Sequence, residues 1–218
     1  MRVIITNYLD VISSWCHWAI PAWEKLRERY QEQVDFRWKI ALMDKAALPP
    51  TREQLEWYYR RSGILMRSPV MLDAGWMQPG ATEYLAPNSV AEAARGFGIE
   101  DDRAWRALSH AELREGKKIA DWAIAAQVAA DATGLDQNKL LERARTPEIE
   151  ARLRASTAEF HALRVTQRPT FVIESPIGDR AIFSGFAKAE PIAAALDAML
   201  DDIVGYQAHA AHFGQAPG

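Results

Sequence analysis

The sequence predicts an α/β fold, a mixed sheet built in the order βαβ…ββα and interrupted by a helical insertion. Three observations predict it. A β-branched run, Val3-Ile4-Ile5, is followed by an amphipathic helical stretch and then by strict alternation from Val34 to Ile40. Near the other end, two apolar segments flank the turn Pro176-Ile177-Gly178-Asp179 and lead into a last helix. Between these halves, residues 51–164 carry helical periodicity almost throughout.

Arg2 to Thr6 reads as a strand buried on both faces, because its apolar run is nearly unbroken. Trp15 to Tyr30 reads as a helix that Pro21 kinks, since the proline ring blocks the carbonyl four residues back. Val34 to Leu42 is a half-buried strand in which Val34, Phe36, Trp38 and Ile40 alternate with Asp35, Arg37 and Lys39. Leu48-Pro49-Pro50 breaks the pattern, and Thr51-Arg52-Glu53-Gln54 resembles a helix start. Further helices are predicted over Ser89–Gly96, Asp102–Arg114, Lys118–Thr133, Gln137–Arg145 and Pro147–Leu163, with Gly134 as a stop signal. The proline-, glycine- and methionine-rich stretch between Leu65 and Asn88 reads as irregular. Thr170–Glu174 and Arg180–Phe183 form a hairpin, and Pro191–Tyr206 the final helix. Residues 207–218 read as a flexible tail; His209 and His212 within it are read as part of a frayed end, not as metal ligands.

With 49% apolar and 25% charged residues, the 218-residue chain can bury a substantial core. A net charge of −3 argues against nucleic-acid binding, and the basic run Arg60-Arg61 reads as a solvated helix face. No apolar stretch reaches the roughly 18 residues of a membrane span. Asn7 and Asp10 interrupt the short apolar run after Arg2, so no secretory leader is read there. The expectation is a soluble, cytoplasmic protein with no metal site and no tightly bound cofactor.

Cys16 is the only cysteine, and it lies in Ser13-Ser14-Trp15-Cys16. A strand, a tight turn and a helix start carrying a thiol is the setting that lowers a cysteine pKa. One cysteine cannot form an internal disulfide. His17 beside it is either an aid to the thiolate or a surface histidine. Trp15 is read as packing the helix or lining a cleft. His110 and His161 fall on separate helices and give no metal pair.

Three stretches resemble the DsbA-like branch of the thioredoxin superfamily. Asp10-Val11-Ile12-Ser13-Ser14-Trp15-Cys16 is similar to the D-x-x-C-P-W-C of FrnE-like DsbA oxidoreductases. It is also similar to the D-x-x-S-P-x-S of kappa-class glutathione transferases and 2-hydroxychromene-2-carboxylate isomerases. Glu115-Gly116-Lys117-Lys118-Ile119-Ala120-Asp121 and Gly134-Leu135-Asp136 resemble the family's E-G-x-D-I-x-D and G-L-D helices. Arg164 to Ile173 resembles the G-V-x-G-V-P-T-F-V-I segment that holds the family's cis-proline, here Pro169. The resemblance implies a thioredoxin-like domain from residues 1–48 and 164–206, with a helical domain, 49–163, inserted between.

In the register that the Asp10 spacing favours, Ser13 replaces the exposed cysteine and Cys16 holds the more buried position. A competing register makes Cys16-His17-Trp18-Ala19 the whole motif, with Cys16 as an exposed nucleophile. Ser13 and Cys16 are the catalytic candidates, and Trp15, His17, Arg168 and Pro169 the substrate-binding ones. Arg168, where the family is apolar, is read as an anion or thiolate partner, or as half of a salt bridge. A dithiol exchange is excluded by the cysteine count. The resemblance leaves a thiol–disulfide oxidoreductase-like protein without its C-x-x-C pair, a glutathione-dependent transferase or isomerase, or a redox-inactive ligand-binding relative. Glutathione is the co-substrate it implies, yet Phe183 to Lys188 lacks the acidic pair that kappa-class proteins use for the γ-glutamyl group. Its partners are expected to be a thiol-containing peptide or small molecule. A homodimer is left open.

Overall fold

A computed structural model describes residues 2–78 and 80–214. Four strands form one mixed sheet in the order β2-β1-β3-β4. The central strand β1 (Val3–Leu9) runs parallel to β2 (Val34–Ile40) and antiparallel to β3 (Thr170–Glu174), which pairs with β4 (Arg180–Ser184). Parallel β1 and β2 need a crossover, and the helices α1 (Ser14–Trp18) and α2 (Ile20–Tyr30) supply it. Six helices separate β2 from β3, and α9 (Glu190–Phe213) follows the hairpin. This is the thioredoxin-like order with a helical insertion.

The first strand is longer than the apolar run suggested. It continues through Asn7, Tyr8 and Leu9 because β2 pairs with it as far as Leu9 and β3 as far as Tyr8. The helix expected from Trp15 to Tyr30 is two helices. Ala19 separates them, and Pro21 falls in the first turn of α2, where its missing N–H leaves no bond unmade. Trp23 on α2 is the packing centre beneath the sheet: its ring lies 5.1 Å from that of Phe36 and 5.9 Å from that of Phe171. Its Nε1 donates to Asp102 at 2.8 Å, and Arg27 donates to the same carboxylate at 2.6 Å.

Six insertion helices follow. They are α3 (Arg52–Leu65), α4 (Leu85–Arg95), α5 (Arg103–Leu113), α6 (Trp122–Thr133), α7 (Gln137–Ala144) and α8 (Pro147–Ala162). Side-chain caps set several starts: the Thr51 hydroxyl accepts from Gln54 N, Asp121 from Ala123 N and Ile124 N, and Asp136 from Lys139 N. The Asp121 cap explains why α6 starts there and not at Lys118. Helix α4 starts four residues before Ser89 because Pro87 sits in its first turn, where proline is tolerated. Gly116 has φ +66°, and a Cβ there would stand 2.8 Å from the Asp73 carboxyl group, so the turn after α5 requires glycine. That turn docks the irregular 66–84 segment, with Asp73 N donating to Leu113 O at 2.8 Å.

One buried cluster joins Val3, Ile5 and Leu9 of the sheet to Val90, Trp105, Leu108 and Ala129 of the insertion, so sheet and insertion share a continuous core. A second cluster, with Ile12, Trp18, Leu55, Tyr59, Trp76 and Leu113, lies between α1, α3 and the irregular segment. The final helix does not stop at Tyr206. It runs to Phe213, although nothing beyond Ile203 is buried, so the expected tail is helical up to residue 213. His209 and His212 lie on it with their rings against Phe213. Residues 215–218 of that expected tail fall outside the described residues.

Replacing Ile5, fully buried in the central strand, with alanine is expected to cost about 2–5 kcal/mol. The same change at Ile64, 76% exposed on α3, is expected to stay within about 0.5 kcal/mol. Urea denaturation of the two variants checks the contrast.

Candidate functional site

The turn after β1 is built around Asp10. Its side chain is buried, and its carboxylate accepts from Ile12 N at 3.1 Å, Met43 N at 2.6 Å and Asn88 Nδ2 at 2.8 Å. The Asp10 carbonyl accepts from Ser13 N at 3.1 Å, which closes the turn and places Ser13 as the cap of α1. Ser13 Oγ accepts from Cys16 N at 3.3 Å. A hydroxyl has two acceptor sites and one donor hydrogen, and that hydrogen faces the Cys16 thiol; Ser13 is itself only 6% exposed.

On the other side, the Arg168–Pro169 peptide is cis. Pro169 O accepts from Gly185 N at 2.8 Å, which ties this loop to the end of β4. The Arg168 side chain turns inward. Its guanidinium donates to the carbonyls of Ala41 and Leu42, the latter at 2.6 Å, and lies 4.3 Å from the Phe160 ring centroid. The alternatives for Arg168 were a ligand anion, a thiolate or a salt bridge. Its hydrogen bonds go to backbone carbonyls instead, and they fix the chain after β2 against the cis-proline loop.

A cleft of 480 Å³ opens between these two turns. Ile12, Ser13, Ser14 and Trp15 form one wall, Thr166, Gln167 and Arg168 a second. The insertion supplies Tyr58, Tyr59, Arg61 and Trp76, and Pro49-Pro50 covers an edge. Of the six sequence candidates, Ser13, Trp15 and Arg168 line the cleft.

Cys16, His17 and Pro169 do not line it. Cys16 is 4% exposed, and burial pushes its thiol up to about 12, against the smaller opposing effects of Ser13 and Arg168. It is therefore a protonated thiol at neutral pH, and the low-pKa environment expected from a strand–turn–helix junction is absent. His17 points to α5, with Nδ1 3.2 Å from Ser109 Oγ, and burial lowers its pKa to about 4. A neutral imidazole gives no support to a thiolate. Pro169 is buried behind Arg168.

The sequence reading missed two features. Arg61, taken as part of a solvated face, borders the cleft. Glu112, on α5, is fully buried, and neither carboxyl oxygen has a hydrogen-bond partner. Burial first, and then the nearby Asp10, push its carboxyl well above the usual range. The signal was present: Trp105, Leu108, Ser109 and Glu112 share one face at helical spacing, and the other three are buried. No group of three or more potential metal ligands occurs among the described residues, and none of their helices is long and apolar enough to cross a membrane.

Sheet order, inserted helices, a cis-proline loop and a helix-capping S-x-x-C define a thioredoxin-fold protein. The sequence matches the family model described as DSBA-like thioredoxin domain over residues 4–197. The chain belongs to that family. Among solved structures, it is similar to a candidate protein disulfide isomerase from Nitrosomonas europaea, at 19% identity with a TM-score of 0.74, over 94% of this chain and 99% of that one. It is also similar to the cytosolic disulfide reductase DsbM from Pseudomonas aeruginosa, at 17% identity and a TM-score of 0.73, over 91% and 98% of the two chains. A second DsbM structure, with GSH, matches at 16% identity and a TM-score of 0.72, over 91% and 99%. The DsbA1 oxidoreductase of Neisseria meningitidis aligns less closely, at 13% identity and a TM-score of 0.57, over 92% and 85%. At these identities the likeness is one of fold. No curated protein matches the sequence.

Cys16 is expected to resist iodoacetamide in the native protein at pH 7–8 and to react fully after denaturation; mass spectrometry of the alkylated chain reads both. Glu112 bears on pH dependence. Its folded pKa lies above its unfolded value, so its contribution is fully present below the unfolded pKa and is lost as pH rises toward the folded one. The Glu112→Gln variant is expected to match the parent in denaturation midpoint at pH 4 and to exceed it at pH 8.

Proposed function

We propose that the cleft binds a small thiol, with glutathione as the candidate, and that Ser13 donates a hydrogen bond to its sulfur. The reaction class is transfer or isomerisation through the bound thiolate, without a change in the protein's own redox state. The observation that carries this reading is the division of labour at the motif. Ser13, 6% exposed, lines the cleft and carries a hydroxyl that a ligand thiolate would draw away from Cys16, whereas Cys16 is outside the lining as a buried thiol with a pKa of about 12. A hydrogen bond from a hydroxyl stabilises a thiolate more than a thiol, and so lowers the pKa of the bound sulfur. The GSH held in a DsbM structure of the same fold adds support for the choice of thiol.

An oxidoreductase working through Cys16 alone fits less well. Mixed-disulfide chemistry needs a thiolate and access, and the Cys16 thiol has neither. Aromatic side chains suit an extended ligand backbone or an apolar second substrate, and Trp15, Tyr58, Tyr59 and Trp76 supply them.

Titration with glutathione, followed by the fluorescence of the cleft tryptophans, is expected to saturate in the millimolar range or below. The ultraviolet absorbance of thiolate is expected to rise on binding at neutral pH. In the Ser13→Ala variant the thiolate signal is expected to fall about tenfold or more, in line with the loss of one charge-assisted hydrogen bond, while the Cys16→Ala variant retains it. Loss of the signal in the Cys16 variant, with Ser13→Ala unaffected, would reverse the assignment.

A further inference from the structure

The charge balance of the cleft differs from that of the chain. The protein carries a net charge of −3, yet no carboxylate is among the described residues that line the cleft, and two arginines are. Arg168 is committed to backbone carbonyls. Arg61 is not committed. Among the described residues it makes no ion pair, whereas Arg52 on the same helix pairs with Glu56 at 3.0 Å.

Arg61 is held by aromatic faces instead. Its guanidinium carbon lies 4.9 Å from the centroid of Tyr58 and 5.2 Å from that of Trp57, residues three and four positions earlier on α3. Stacking fixes the plane of a guanidinium while leaving its edge N–H groups open. An oriented cation with unused donors, on the rim of an aromatic cleft, is suited to a carboxylate, which accepts two parallel hydrogen bonds from that fork. An ammonium in the same cleft meets no opposite charge from the lining residues.

We infer that Arg61 is the carboxylate anchor of this cleft, and that the site selects anionic thiols, bearing carboxylates without a free ammonium, over zwitterionic or neutral ones. The inference rests on the thiol reading above and adds to it a charge class and a specificity residue. Glutathione itself is then an imperfect ligand, because its γ-glutamyl ammonium goes unpaired.

Four ligands on one scaffold separate the possibilities by isothermal titration: glutathione, N-acetylglutathione, glutathione diethyl ester and ophthalmate, which has a methyl group in place of the thiol. The expected order of affinity is N-acetylglutathione, then glutathione, then the diethyl ester. Arg61→Gln is expected to weaken the first two by about tenfold, the scale of one lost charge-assisted contact, and to leave the ester unchanged. Arg61 is exposed, so the variant is expected to fold, and Arg61→Lys is expected to recover part of the loss. Equal affinities for glutathione and its diethyl ester, or an Arg61→Gln variant with unchanged affinities, overturns the anchor while leaving the thiol reading intact. Ophthalmate binding as tightly as glutathione, with the Arg61 dependence preserved, overturns the role of sulfur and keeps the anchor. No binding of any of the four overturns both.

Discussion

A single buried carboxylate fastens the parts of this protein that meet at the cleft. Asp10 ends the central strand, and its two oxygens take hydrogen bonds from the turn after that strand, from the chain leaving β2 and from Asn88 on α4. Asn88 returns the contact by accepting from Val11 N at 3.1 Å. Arg168 holds the same stretch after β2 from the opposite side, through the carbonyls of Ala41 and Leu42. Burying an unpaired carboxylate would be prohibitive, so Asp10 is tolerable only while all three donors and the nearby guanidinium are in place. Position follows from that constraint. The turn carrying Ser13, the segment leading to Pro49-Pro50 and helix α4 of the insertion cannot shift independently.

That fixed turn makes the presence of serine at position 13, where the resemblance puts the outer cysteine, consequential. In a two-thiol motif the outer group leaves as a thiolate and attacks; a serine hydroxyl does not ionise near neutrality. It can only accept and donate hydrogen bonds, and one of its acceptor sites is already used by Cys16 N. Under the proposed function, the chemistry of this position is stabilisation of a charge brought by a ligand. Cys16, one helical turn further on, is left with no partner thiol and packs in the core cluster with Val11, Ala19 and Trp23 as a small apolar side chain. The residue that first draws notice in the sequence has become packing, and the one three positions earlier faces the cleft.

Much of the fold was legible because its signals are local. Alternation marked β2, the Pro-Ile-Gly-Asp turn marked the hairpin, and Thr51, Asp121, Gly134 and Asp136 punctuate helices through bonds to their own backbone neighbours. The errors are tertiary in origin. Strand β1 was read too short because Asn7 and Tyr8 look like an ending, yet pairing on both sides keeps them in the sheet. The site was half legible for the same reason. Spacing from Asp10 located Ser13 and Cys16, but burial decides the state of the thiol, and burial comes from helices distant in sequence. His17 was placed by adjacency to Cys16, while its ring is turned to Ser109, 92 positions away. Arg61 looked like one more surface cation, since nothing in its neighbourhood on α3 reveals that a cleft lies beside it.

The interior chemistry and the cleft also constrain one another. Asp10 and Glu112 are both buried, close enough for Glu112 to feel the Asp10 charge, and two buried negative charges would repel one another. The fold avoids this in two different ways. Asp10 has three hydrogen-bond donors and the Arg168 charge, which oppose the larger upward push of burial on its carboxyl. Glu112 has no donor and no cation among its influences, and desolvation, then Asp10, push its carboxyl well above the usual range. Neither carboxylate lines the cleft, where the charged side chains among the described residues are Arg61 and Arg168. A buried acid left without partners is thus disfavoured as an anion, and the charges that line the cleft remain those of the two arginines.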